Sequence, residues 1–261
     1  MAEYLWLLPA VACGFIALAG NVVLGQQVLK RQIIFIDLAV AQVAALGAVI
    51  SHYWLSHFSL FQQSWFGEMV GPWLLSVLFC LLIALLEKYW KQHLEALIGT
   101  LFAVSSSMAM ILVSKDPHGA DFLKNMLNGQ LLWATWSDVW HLGLVTVVML
   151  GVIFWRPHLL GGHGFYLIFA ILMPVTVKLT GIYLEFALLV IPALCTAFVK
   201  GKYSLLISLI LGSVSIISGI MVSAWFDWPS GASIVLTLFL TGMLFMIMTS
   251  ARKASVVKRV R

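Results

Sequence analysis

The sequence predicts an all-α, polytopic integral membrane protein, and three observations carry that prediction. Apolar residues make up 62% of the 261 positions and charged residues 10%, against about 45–50% and about 25% in soluble domains. The apolar residues are gathered into long runs, roughly 5–28, 33–55, 70–87, 96–114, 138–155, 165–199, 204–225 and 231–250. Most lysines and arginines stand at the ends of these runs: Lys30, Arg31, Lys88, Lys91, Arg156, Lys200, Lys202, and Arg252 and Lys253 leading into Lys258, Arg259 and Arg261. Threaded through a bilayer in order, nearly all of them fall on one side, which the positive-inside rule makes cytoplasmic.

Seven of the runs suit one helical crossing each, since about 20 residues span the hydrocarbon layer. The run 165–199 does not. As one helix it would be roughly 52 Å long, and it is interrupted by Pro174, Gly181 and Pro192. Charge decides how to count it. A single crossing would separate Lys200, Lys202 and the basic tail from Lys30, Arg31, Lys88 and Arg156. A crossing to about Gly181 followed by a short or bent return over 182–199 keeps them together. The expectation is therefore eight or nine membrane segments including a broken one, the N-terminus outside and the C-terminus inside. The outer loops then hold Glu3, Glu68, Asp116, Asp121, Asp138 and Asp227, with Lys115 and Lys124 as their basic residues. Trp54, Trp65, Trp73, Trp90, Trp133, Trp136, Trp155, Trp225 and Trp228 fall near predicted span ends, as an interfacial aromatic belt should. The longest outer connection, 115–137, carries Phe122, Leu123, Met126 and Leu127 at the spacing of a short amphipathic helix on the outer face.

Several function classes are excluded or disfavoured. The +5 net charge sits mainly in the tail and inner loops, so it reports topology and contact with anionic membrane lipid, with no nucleic-acid partner. Met1 to Pro9 carries Glu3 and no basic residue, so the first run is expected to stay in the mature chain rather than act as a signal peptide. Cys13, Cys80 and Cys195 all lie inside apolar runs and read as small packing residues. No nucleotide-binding loop or Ser/His/Asp set is present, so no enzymatic activity is expected of this chain.

Asp37, Lys178 and Glu185 fall inside predicted spans. Each costs about 2.5–3.5 kcal/mol at mid-bilayer, so each should face protein or water. They are candidates for a translocation pathway, with snorkelling for Asp37 and stabilisation of a bent segment for Lys178 and Glu185 as the alternatives. Lys178 and Glu185 are seven residues apart, about 10.5 Å in helical rise, which is long for a direct pair unless Gly181 bends the backbone. Gln42 could line the same pathway or bond a neighbouring helix. Ser105, Ser106 and Ser107 suit close helix packing. His52, His57, His93, His118, His158 and His163 map to loops or span ends without the spacing of a strong zinc motif. His118, between Asp116 and Asp121, is the best placed as a ligand, although a plain turn is the preferred reading of that stretch.

Four stretches in order resemble the permease of the bacterial zinc/manganese ABC importers. They are Lys30-Arg31 with Phe35-Ile-Asp37, then Leu94 through Ser107, then Lys178-Leu-Thr-Gly181 through Leu189-Val-Ile-Pro-Ala193, and finally Phe226-Asp-Trp-Pro-Ser-Gly231. The resemblance covers nearly the whole chain. It implies one transmembrane permease domain over 1–261, with 252–261 as a cytoplasmic tail, in the bacterial inner membrane. It implies a second copy of the chain, a cytoplasmic ATPase subunit that binds and hydrolyses ATP, and a periplasmic binding protein that delivers the substrate. This chain itself would bind no cofactor. Two departures stand out. The family's second span carries an aspartate and, four residues on, a histidine implicated in metal passage; here Ala41 follows Asp37 at that spacing and Gln42 comes at five, a quarter-turn beyond the shared face. The inner loop expected to rest on the ATPase is short and glycine-rich: Arg156, Pro157, His158, Leu159, Leu160, Gly161 and Gly162. The residues leave two other readings open, an ABC permease for a metal chelate or other small solute, and an ATP-independent secondary transporter built on the broken helix.

Overall fold

The computed structural model describes residues 6–54, 65–114, 119–199 and 203–260, with side chains omitted at 53–54, 120, 122–123 and 250–260. Within them the chain is helical, in ten α-helices: α1 (Leu8–Arg31), α2 (Ile36–Trp54), α3 (Trp65–Trp90), α4 (Leu94–Val113), α5 (Gly119–Asn128), α6 (Trp136–Trp155), α7 (His158–Gly161), α8 (Gly164–Thr196), α9 (Tyr203–Phe226) and α10 (Ser230–Val260). Each of the eight apolar runs forms a helix. Six stretches are long and apolar enough to cross a membrane, one of them the span Trp65–Val113 that holds both α3 and α4; Ile36–His52 is a shorter apolar helix. The expected outer helix is α5. Glu3, His57, Lys115, Asp116, His118, Lys200 and Lys202 lie outside the described residues, and the tail side chains are not described.

α8 is the central element. Its first half runs as helix to Thr180, and Gly181 then leaves helical geometry with φ 76° and ψ 162°. Contacts along α1 trace the path of α8. The Arg31 guanidinium lies 4.9 Å from the Phe165 ring centroid, at the start of α8, and Gly20 faces Leu172. Past the break, Asn21 bonds Glu185, and Gly25 lies directly against the Leu189 carbonyl and Ala193. Gln26 bonds Ser204 at the start of α9. Both ends of α8 therefore lie towards the Arg31 end of α1, and the chain goes out to Gly181 and returns. The run 165–199 doubles back at Gly181.

The turn is made by two glycines in contact. Gly129, after α5, has φ 70°, and a Cβ there would strike the Thr180 carbonyl; a Cβ on Gly181 would strike the Gly129 backbone. Glycine alone accepts both the positive φ and the close approach at little cost. The Gln130 N–H donates to the Leu179 carbonyl at 2.9 Å, taking up one of the acceptors released at the break.

Small residues let the helices approach, as expected where lipid supplies no hydrophobic drive between them. Gly14 meets Ile216, Gly212 meets Leu18 and Gly219 meets Ile234. Hydroxyls add interhelical bonds: Ser208 to the Pro192 carbonyl at 3.0 Å, Thr237 to the Ser215 carbonyl at 2.8 Å, and Ser215 with Thr241 at 2.6 Å. α6 starts with a capping box, in which the Asp138 carboxylate accepts from the Thr135 N–H at 2.9 Å. Trp73 departs from the aromatic belt. It is half-buried, and its indole N–H donates to the Ile171 carbonyl at 3.0 Å, joining α3 to α8.

Candidate functional site

The four pathway candidates separate into three environments. Asp37 lies in the first turn of α2 and is 1% exposed. Neither of its carboxylate oxygens meets a hydrogen-bond donor among the described residues. Its electrostatic neighbour is Glu185, on the returning half of α8. An isolated buried carboxylate is among the most costly groups a fold can hold. Such a group demands a proton or a cation.

Glu185 is equally buried, at 0% exposure, and is fully engaged. Its Oε1 accepts from the Asn21 amide at 2.8 Å, and its Oε2 accepts from the Thr180 hydroxyl at 2.7 Å. Thr180 precedes the break and Glu185 follows it, so the carboxylate staples the two halves of α8 and fastens them to α1. Asn21 carries no signal in the sequence beyond being an amide inside an apolar run.

Lys178 lies in the candidate span Gly164–Thr196 and pairs with Glu68 rather than Glu185, in keeping with a spacing that is long for a direct pair. Its ammonium lies 2.5 Å from the Glu68 carboxylate at the start of α3, with the side chains 30% and 53% exposed. The break turns Glu185 away toward α1, while Lys178 stays on the half that packs against α3. Lys178 and Glu68 line a cavity of about 400 Å³ with Ser51, His52, Pro72 and Pro174. Gln42 lines a second, more open cavity of about 900 Å³ with Ser106, Ser107, Asn128 and Tyr183. Ser105 turns away and bonds its own helix at the Leu101 carbonyl, 2.7 Å. Only Ser105 of the three serines follows the packing expectation in full.

Ala41, at the spacing where the resemblance expects histidine, is buried in a small cluster with Val177 and Ile182, against Leu38 and Leu127. Among the described residues no group of three or more His, Cys, Asp or Glu side chains could hold a metal ion. A metal passing here would meet oxygen ligands, one orphaned carboxylate foremost, rather than a preformed nitrogen or sulfur cage.

At the Arg31 end, Arg156, Pro157, His158, Gly161 and Gly162 are exposed, Leu159 is half-buried and Leu160 is buried. The glycine-rich loop contains one helical turn, α7. Arg31 holds it, donating from Nη2 to the Leu160 carbonyl at 3.1 Å and the Gly162 carbonyl at 2.8 Å.

Comparison with known proteins gives this arrangement a context. The manganese transport system membrane protein MntC of Halalkalibacterium halodurans is 26% identical over 227 residues, covering 78% of each chain. The high-affinity zinc uptake system membrane protein ZnuB of Haemophilus influenzae is 23% identical over 255 residues, covering 88% of this chain and 92% of that one. The fold matches a chain of the solved structure of PsaBC from Streptococcus pneumoniae in complex with Fab, with TM-score 0.72 at 18% identity over 94% of this chain and 92% of that one. The model of the ABC 3 transport family matches residues 3–250. With nearly the whole helical bundle inside that match, the chain belongs to the ABC 3 transport family.

Proposed function

We propose that this chain is the membrane subunit of an ATP-binding-cassette importer and forms the pathway for a divalent metal ion, manganese or zinc. The family match over residues 3–250 carries the proposal, and manganese and zinc are what the relatives named above transport. Asp37 adds support from within the chain, as a buried carboxylate with no hydrogen-bond partner among the described residues. In this reading Asp37 meets the ion, and Gln42, with Ser106 and Ser107, lines a cavity along its route. Lys178 with Glu68 stands at the outer mouth. Glu185 holds the bend that shapes the pathway.

The membrane arrangement follows from charge. Lys30, Arg31, Lys88 and Arg156 mark helix ends, and both ends of α8 lie towards the Arg31 end of α1. That end is cytoplasmic. The chain then makes nine membrane segments, with α8 counted as two, the N-terminus outside and the C-terminus inside. Two copies enclose the pathway. An ATPase subunit docks on the cytoplasmic loop 156–162 of each copy and hydrolyses ATP, and a binding protein delivers the ion from outside.

Two experiments test the reading. Tagged chain purified in mild detergent from its native membranes should bring down an ABC ATPase in stoichiometric amount. Manganese or zinc uptake by cells holding the intact system should survive a protonophore as long as ATP is maintained. Folded permease without an ATPase, together with uptake that collapses at constant ATP, would transfer the chain to the secondary transporters.

A further inference from the structure

We infer that Arg31 is the positioning residue that holds the loop 156–162 in its helical shape and ties it to the bundle, so that force on the loop reaches α1 and α8. The inference rests on the proposed role of that loop as the ATPase docking segment.

One helical turn is far too short to be stable in isolation, and α7 is four residues long. Its hold on the bundle comes from the buried Leu160 and from Arg31. The last carbonyls of a helix have no partner within it; here the guanidinium supplies one to Leu160 and joins the Phe165 N–H at the Gly162 carbonyl. The same guanidinium reaches the Glu87 carboxylate on α3 at 3.3 Å. Its face lies over Phe165 at 4.9 Å and Tyr166 at 5.4 Å, on the first turn of α8. One side chain thus joins α1, α3, α7 and α8. Only a planar fork with several donors can meet two carbonyls and a carboxylate while stacking on rings; an ammonium cannot. From Arg31, α1 continues unbroken to Asn21, which grips Glu185 on the returning half of α8. The opposite side of the loop, Arg156 to His158, is exposed.

The test is Arg31→Lys in the permease–ATPase complex reconstituted in lipid. A spin label on His158→Cys reads the loop directly, because the three native cysteines are buried. The expected result has two parts. The label becomes markedly more mobile at unchanged melting temperature, and the ATP hydrolysed per ion transported rises on the order of tenfold, a common size for coupling between sites. A label spectrum identical to that of native Arg31, or an unchanged ATP-to-ion ratio, overturns the inference. If Arg31→Lys lowers the melting temperature, Glu87→Gln replaces it, with the same direction expected in both readouts and the same overturning results. A loop that is mobilised in permease alone, in membranes where no ATPase ever docks, would instead overturn the proposed function and leave the clamp in place.

Discussion

Two carboxylates lie fully buried in this bundle, one near the start of α2 and one just past the break in α8, and their surroundings differ in kind. Glu185 receives an amide and a hydroxyl, one from α1 and one from across the break. Asp37 receives nothing from the described residues. Burial alone therefore does not separate structure from transport. Satisfaction distinguishes them: Glu185, with both oxygens occupied, holds the fold together, and Asp37, without donors among the described residues, is the one the proposed pathway would use.

The contrast can be broken most forcefully at Glu185. Glu185→Ala removes two hydrogen bonds and leaves the Asn21 amide unpaired; we expect a loss of about 3 kcal/mol, near the upper end of two such bonds inside a membrane. Thermal unfolding in detergent reads it, and a variant as stable as the parent would place Glu185 with Asp37. Gly181→Ala comes next. The left-handed φ and the collision with Gly129 should cost about 2 kcal/mol, and retention of full stability would mean that the turn has another backbone solution. Asp37→Asn reverses the pattern. Stability should be unchanged or better, because a buried carboxylate without donors is replaced by a neutral amide, while metal uptake falls by at least about tenfold, the loss seen when even an indirect support of a bound ion is removed. Normal uptake by this variant would take Asp37 out of the pathway. The smallest effect is expected at the Lys178–Glu68 pair, where Lys178→Gln breaks a half-exposed contact and should change stability by less than about 1 kcal/mol. A larger loss would show that the Lys178–Glu68 pair is a structural latch between α3 and α8.

Much of the bundle is legible without coordinates. Hydropathy marks all eight long helices, and the amphipathic spacing of 122–127 marks α5. The return at Gly181 is legible too, from the need to keep Lys200 and Lys202 on the side of Arg31. The site is legible only in part. Asp37 and Glu185 stand out because an ionisable residue in a greasy run is conspicuous. Their different roles are not visible, since Asn21 lies 164 positions from Glu185. The partner of Lys178 is not visible either, because Glu68 is 110 positions away. Arg31 reads as a topological marker along the chain, and the fold brings it to the Leu160 and Gly162 carbonyls of the loop 156–162.

By itself, then, the sequence determined what depends on neighbours along the chain and on the membrane: helix, break, and the family to which the four stretches point. Those properties arise from a 3.6-residue repeat, a hydrocarbon thickness and the cost of moving charge across it. Only the tertiary structure decided which polar groups meet. A helix presents its side chains all round, and the one that finds a partner is chosen by how distant helices cross. That Glu185 is satisfied, and Asp37 is not among the described residues, is set by the bend at Gly181 and the packing of α1, not by the residues beside them.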